Sequence, residues 1–206
     1  MPRQNRVTPF GELIATAHRG TLMGNRGCLH DAAQRIQRPF ALQRWIICLL
    51  QFQDRRRTVM TPGRYTELFF LDEATALAAG HRPCAECQRQ RYQLFRAHWA
   101  AARTVTGVPS AGEMDDVLHA ERLDATQAKR TYVERLSRLP AGVIVADDEA
   151  RAHLVLADAL RAWSPAGYGP RRPRVLSAQM RVLTPPSSVR VLARGYPVGL
   201  HASALA

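Results

Sequence analysis

The chain has 206 residues, 46% of them apolar, which is enough for one large domain or two small ones around an ordinary core. No run of about 18 apolar residues occurs and the opening MPRQNRVTPFGEL has no apolar signal core, so neither a membrane span nor a secretory leader is expected, and a cytoplasmic location is. The formal net charge of +12 comes almost wholly from arginine, with Lys129 the one lysine, which favours an anionic partner such as nucleic acid but specifies no reaction.

In chain order, residues 11–18 read as a short helix or a strand. Residues 21–31 (TLMGNRGCLHD) bring Gly24, Asn25 and Gly27 together, which is turn chemistry, and place Cys28, His30 and Asp31 at the end of a loop. Residues 32–44 are mixed and basic and are expected to connect without regular structure. Residues 45–52 (WIICLLQF) form a bulky apolar run that predicts a buried strand. A polar turn over 54–57 and a returning strand over 58–60 would complete a hairpin, and 65–71 is a third strand.

Asp72 then stands as an N-cap, Ala74, Leu77 and Ala78 make an apolar stripe at helical spacing, and Gly80 sits where a short helix needs a left-handed residue to stop. Pro83 presets the first turn of a second helix, predicted from Cys84 to Arg103, with Leu94, Phe95, Trp99 and Ala102 on its apolar side. Arg89, Arg91, Arg96 and Arg103 decorate the remainder as a solvated face or as phosphate contacts. Residues 104–109 read as a loop and a domain boundary, dividing the chain into 1–103 and 104–206.

Ser110 and Glu113 have capping-box spacing ahead of a helix that turns Met114, Val117 and Leu118 inward. A further helix is predicted over 124–138, closed by Leu139-Pro140. From Gly142 the pattern becomes β. Strands over 143–146 and 153–156 flank the acidic turn Asp147-Asp148-Glu149, residues 163–165 and 167–170 are rich in turn formers, and 174–184 reads as a strand. Pro185-Pro186-Ser187 opens a short helix to Arg194 with Gly195 as its stop, and the tail 196–206 has no clear pattern. Trp163, Tyr168 and Tyr196 can pack a small β domain or stack on bases beside Arg171, Arg172 and Arg174.

The chain has four cysteines. Cys84 and Cys87, one turn apart at a helix start, form a metal half-site, because their sulfurs converge and free amides favour thiolate charge. The same spacing serves redox thiols, but those follow a strand in a βαβ unit, whereas the element before Cys84 is a helix ending at Gly80. Metal ligation is therefore the favoured chemistry. Cys48 and Cys28 are the candidates for completing a tetrahedral site, with His30 able to replace Cys28.

The stretch FFLDEATALAAGHRPCAEC resembles the C-terminal half of the Ada-type metal-binding domain over roughly residues 65–87. Phe69, Phe70, Ala76, Ala79, Gly80, Arg82, Pro83, Cys84 and Cys87 match in order, and His81 takes a position that is usually aromatic. The resemblance implies a Zn2+ ion held by cysteines and a domain that touches DNA. The family's compact first ligand pair, Cys-x-x-x-Cys, is absent here, so its methyl transfer is not implied.

On the helix after Ser110, Asp115 and His119 lie four apart and share a face. With Glu121 they are candidate acid–base or metal-binding groups for phosphodiester cleavage, against the alternative of a charged outer face. No HExxH, Walker loop, GxSxG or dinucleotide fingerprint occurs. The sequence thus predicts an α+β protein: an Ada-like zinc knuckle with a β-hairpin and a long helix, then a helical linker and a small β-rich module. The expected function is zinc-stabilised nucleic-acid binding, with Arg82, Arg89, Arg91, Arg171 and Arg172 as phosphate contacts. The alternatives are a metal-dependent nuclease acting through His119, Asp115 and Glu121, or through His30 and Asp31, and a zinc-stabilised interaction module.

Overall fold

A computed structural model describes residues 1–54, 58–102 and 107–206. It is an α+β protein with two six-stranded sheets and, among the described residues, four α-helices. The first sheet contains β1 (Gln4–Val7), β2 (Leu13–Ala15), β3 (Leu22–Asn25), β4 (Ile46–Cys48), β5 (Leu68–Phe70) and β6 (Arg82–Pro83), in the order β2-β1-β5-β3-β4-β6. Two of its pairings, β1–β5 and β4–β6, are parallel. The second sheet contains β7 (Tyr132–Arg135), β8 (Ile144–Ala146), β9 (Ala152–Val155), β10 (Ala159–Ser164), β11 (Gly167–Pro173) and β12 (Gln179–Val182), is antiparallel throughout, and runs β11-β10-β9-β8-β12-β7. The helices are α1 (Glu73–Ala78), α2 (Arg89–Ala101), α3 (Ala111–Arg122) and α4 (Pro186–Ala193).

Local signals are met where a cap or a stop residue specifies them. The Asp72 carboxylate accepts from Thr75 N at 2.9 Å, and Gly80 follows α1 at φ +89°. Ser110 and Glu113 close a reciprocal capping box on α3, and Pro186 opens α4. The acidic turn between β8 and β9 is tied by Asp147, which accepts from Glu149 N and Arg151 N.

The expected hairpin after residue 45 does not form. The strand is shorter than the apolar run, and it pairs with β3, not with residues 58–60. Part of the predicted turn, residues 55–57, lies outside the described residues, as does Arg103. Gly24, read above as turn chemistry, is instead the centre of β3. A Cβ there would stand 2.3 Å from the Phe70 ring, so the glycine lets an aromatic side chain lie against the strand.

The helix predicted from Cys84 begins at Arg89, because residues 84–87 form a sulfur-centred turn and Arg82–Pro83 is an edge strand. Leu94 faces solvent, while Phe95 and Trp99 are buried. The helix predicted over 124–138 is absent. The Asp124 carboxylate accepts from Thr126 N, Thr126 Oγ1 and Ala128 N, which folds a tight loop, and the residues after it enter β7 and a short 3-10 turn. Residues 167–170 belong to β11 and not to an isolated turn, and of 174–184 only Gln179–Val182 is strand, with Val175 exposed.

One buried cluster contains Val7, Ile47 and Phe70 of the first sheet together with Val143, Val145 and Val182 of the second half, and Phe95, Trp99, Met114 and Leu118 of the helices belong to it. Every residue of α1 is buried, and the helix contacts both β5 and β8. Asp72 also accepts from Tyr168 OH at 2.9 Å and His201 N at 3.0 Å, and Glu73 accepts from Tyr196 OH at 2.5 Å and Gly199 N at 2.7 Å. Replacing Asp72 by Ala removes a helix cap and takes the carboxylate from a buried tyrosine hydroxyl, so a loss of about 3 kcal/mol is expected in chemical denaturation. A loss under about 1 kcal/mol would show that these bonds carry little.

Candidate metal centre

The parallel pairing of β4 with β6 sets Ile46 beside Arg82 and Ile47 beside Pro83, so the next residues, Cys48 and Cys84, emerge side by side. Cys84 N donates to Ile47 O at 2.9 Å, which fixes the edge. The chain then folds back in one turn, Gln88 N donating to Cys84 O at 3.2 Å and the Gln88 amide to Ile47 O at 2.9 Å. This turn carries Cys87 to the other two. The Sγ atoms of Cys48, Cys84 and Cys87 all lie within 4.8 Å of one another. Sulfurs bound to one tetrahedral zinc at about 2.3 Å stand roughly 3.8 Å apart, so the group can hold a metal ion such as zinc with little movement.

The electrostatics suit a cation. Hydrogen bonding from Cys48, then from Cys87, holds the Cys84 thiol far below the usual thiol range, while sharing protons with Cys84 and Cys87, together with burial, drives Cys48 far above it. One negative charge among the sulfurs is favoured, and further ones are opposed until a cation arrives. Two backbone amides already point at sulfur, Glu86 N to Cys84 Sγ and Leu49 N to Cys87 Sγ, each at 3.4 Å. Cys48 and Cys84 are buried against Met23, with Ile46, Tyr65 and Phe69 packed around them. Cys87 is half-buried and lines a surface groove with Leu49, Phe52 and Arg89.

Cys28 is not brought to this group. Its Sγ lies 3.8 Å from His30 O, in the loop after β3. Both ring nitrogens of His30 are engaged, Nδ1 with Thr66 Oγ1 at 2.6 Å and Nε2 with Thr61 O at 3.2 Å, and Asp31 holds Arg35 and Gln37. Among the described residues no fourth Cys, His, Asp or Glu stands in the sulfur group. His81 lies apart from it, buried between the Trp45 and Phe70 rings and accepting from Arg26 Nε at 3.1 Å.

The candidate acid–base set on α3 is dispersed. Asp115 is buried and held by both Arg82 Nε at 2.9 Å and Arg82 Nη2 at 2.6 Å, with desolvation raising its carboxyl against that pairing. Glu121 accepts from Ser187 N, Ser187 Oγ and Arg190. His119 contacts Arg122 at 3.0 Å and the edge of Phe40, and burial lowers its pKa. Each group serves a different structural partner.

The expected phosphate contacts divide in the same way. Arg82 is 2% exposed and committed to Asp115, and Arg91 is held by Glu73 and lies over the Tyr196 ring. Arg171 is exposed but ion-paired with Asp158, which leaves Arg89 and Arg172 exposed without an ion pair among the described residues. Tyr168 and Tyr196 are buried and bonded to carboxylates, and Trp163 donates to Thr75 Oγ1, so all three pack and bond within the fold.

A basic groove went unread in the sequence. It measures about 730 Å3 and is lined by Arg3, Arg6, Arg19, Gln51 and Phe69 among others, with no carboxylate among the described residues. Register connects it to the sulfurs. Arg6 lies beside Phe69, Phe69 opposite Met23, and Met23 opposite Cys48, so these side chains form one row across the outer face of the first sheet. Val7, Phe70 and Ile47 point the other way into the core. The Arg6 guanidinium lies 4.8 Å over the Phe69 ring. The only sequence signal was the alternation of Arg6 with Asn5 and Val7, too short to read as a strand.

No protein-family model, curated protein or solved structure matches this chain. No helix among the described residues is long and apolar enough to cross a membrane.

Metal analysis of the purified protein is expected to find one zinc per chain in the wild type and in Cys28→Ala, and at least a tenfold loss in Cys48→Ala. Retention of zinc by Cys48→Ala would remove that residue from the site.

Proposed function

We propose that the protein binds zinc through Cys48, Cys84 and Cys87 and binds nucleic acid, DNA in the first instance, across the outer face of its first sheet. The observation that carries this is the row from Cys48 through Met23 and Phe69 to Arg6, which joins the metal centre to an arginine groove with no carboxylate among the described residues. The resemblance of residues 65–87 to the Ada-type domain supports the zinc half of the proposal.

A bound zinc ion would supply structural cross-linking, holding the thiolates of β4 and of the turn after β6 together. The protein's own residues do the rest. Leu49 and Glu86 amides stabilise thiolate charge, and Gln88 ties the turn back to β4. Arg3 and Arg19 are exposed at the groove, where guanidinium groups match phosphate oxygens bidentately. Phe69, half-exposed, offers a flat apolar surface to a base or sugar. Arg89, beside Cys87, extends the positive surface past the metal centre.

Fluorescence anisotropy with a labelled DNA duplex over a salt series tests this. Affinity should fall steeply with salt, and Arg19→Ala should lower the log–log slope by about 0.9, the contribution of one phosphate contact. The absence of salt-dependent affinity, or a groove variant that binds as the wild type does, would refute the nucleic-acid half and leave the metal half standing.

A further inference from the structure

Away from the cysteines, a chamber of about 370 Å3 lies where the turn at Gly11 and Glu12, the Trp45 ring and the segment after α3 meet, and Arg26, Phe40, Arg122 and Lys129 also line it. That volume is within the range of small-molecule sites. Arg26 and Arg122 are each 1% exposed. Their guanidinium carbons stand 3.9 and 4.0 Å from the Trp45 ring centroid, and the Lys129 ammonium donates to Ala78 O.

These cations have only neutral hydrogen-bond partners. Arg26 donates to His81 Nε2 and Gly11 O, and Arg122 to Gly80 O and Gln43 O, with His119 Nδ1 alongside. Among the described residues no ion pair joins any of the three cations to a carboxylate. Asp115, the carboxylate whose field reaches Arg122, is already gripped by Arg82. Among the described residues Glu12 is the only carboxylate in the lining, and it is exposed. Arg26 Nη2 and Arg122 Nε are sealed from solvent with no acceptor.

Buried cations without counter-charge are strongly disfavoured, as are buried donors without acceptors. Their protonation registers the strain. Burial, followed by the neighbouring arginines, brings Lys129 down to about 7, and burial brings Arg26 and Arg122 down to about 9. The loop bonds of Asp124 nevertheless fold the segment that delivers Lys129 to this place.

We propose that this chamber is an anion site that takes a phosphoryl group between Arg26, Arg122 and Lys129. A phosphoryl group brings up to two negative charges and several oxygens to meet three cations that line one chamber. A carboxylate brings one charge and two oxygens. Inorganic phosphate and the phosphate of a nucleotide share this chemistry. The site is separate from the metal centre and from the groove of Arg3, Arg6 and Arg19.

Titration calorimetry of the full chain with inorganic phosphate and with adenosine monophosphate, at ionic strength held constant with chloride, tests the assignment. Saturable binding of one anion per chain is expected, together with a rise in melting temperature. Tighter binding of inorganic phosphate would identify the free ion as the occupant, and tighter binding of the monophosphate would identify a nucleotide. Lys129→Met, which removes a single backbone contact from a half-buried position, should weaken binding at least tenfold with an unchanged circular dichroism spectrum. No saturable binding of either probe at millimolar concentration, or binding undiminished in folded Lys129→Met, would overturn the proposal.

Discussion

Two carboxylates at the start of a wholly buried helix hold this structure together. Asp72 and Glu73 stand at the N-terminus of α1, where the helix dipole favours negative charge. Burying two carboxylates is costly unless their oxygens are satisfied, and here the second half of the chain satisfies them. Tyr168, Tyr196 and the amides of Gly199 and His201 all donate to them. The same helix stops at Gly80, where a Cβ would lie 2.5 Å from Arg122 Cδ. A residue with a side chain would be strained by the positive φ and would also push α3 away. From that stop the chain goes directly into β6 and then to Cys84. The position of the candidate metal ligands thus depends on a helix anchored by residues more than 90 positions later in the chain.

Arginine does two kinds of work in this chain, and composition does not separate them. Arg82, Arg122, Arg161 and Arg174 bind carbonyls or a carboxylate inside the fold. Arg174, for example, spans the carbonyls of Leu136, Leu139 and Leu156. The net charge of +12 therefore overstates the charge at the surface available to a partner. Exposed arginines remain at several places, Arg38, Arg44, Arg172 and Arg194 among them, and Arg3, Arg6 and Arg19 are the ones gathered along one groove, with Arg89 beyond the sulfurs.

Legibility in the sequence followed the range of the interaction that decides each element. Helix α1, its cap, its glycine stop, the capping box of α3 and the proline that opens α4 are decided within a few residues, and each was readable. So was the pairing of Cys84 with Cys87, and Cys48 was a named candidate. The partner of β4 was not readable, because a strand is chosen by what lies across from it, and Gly24 looks the same in a turn as under an aromatic ring. Residues 124–138 fit a helical spacing, but the Asp124 side chain binds its own backbone and the Tyr132–Arg135 segment finds an edge beside β12. Cys28 and Cys48 were both candidate ligands, Cys48 the stronger. Only the parallel register of β4 and β6 separates them, and no spacing rule encodes it.

The most direct test of the account is X-ray absorption at the zinc edge on the metal-loaded protein, which counts the ligand atoms around the ion. Three sulfurs at about 2.3 Å and one lighter atom at about 2.0–2.1 Å are predicted, from Cys48, Cys84, Cys87 and a fourth ligand that is not a cysteine. A shell of four sulfurs would bring Cys28 back into the site, and a shell of nitrogen and oxygen alone would place the ion elsewhere in the fold; either result contradicts the account.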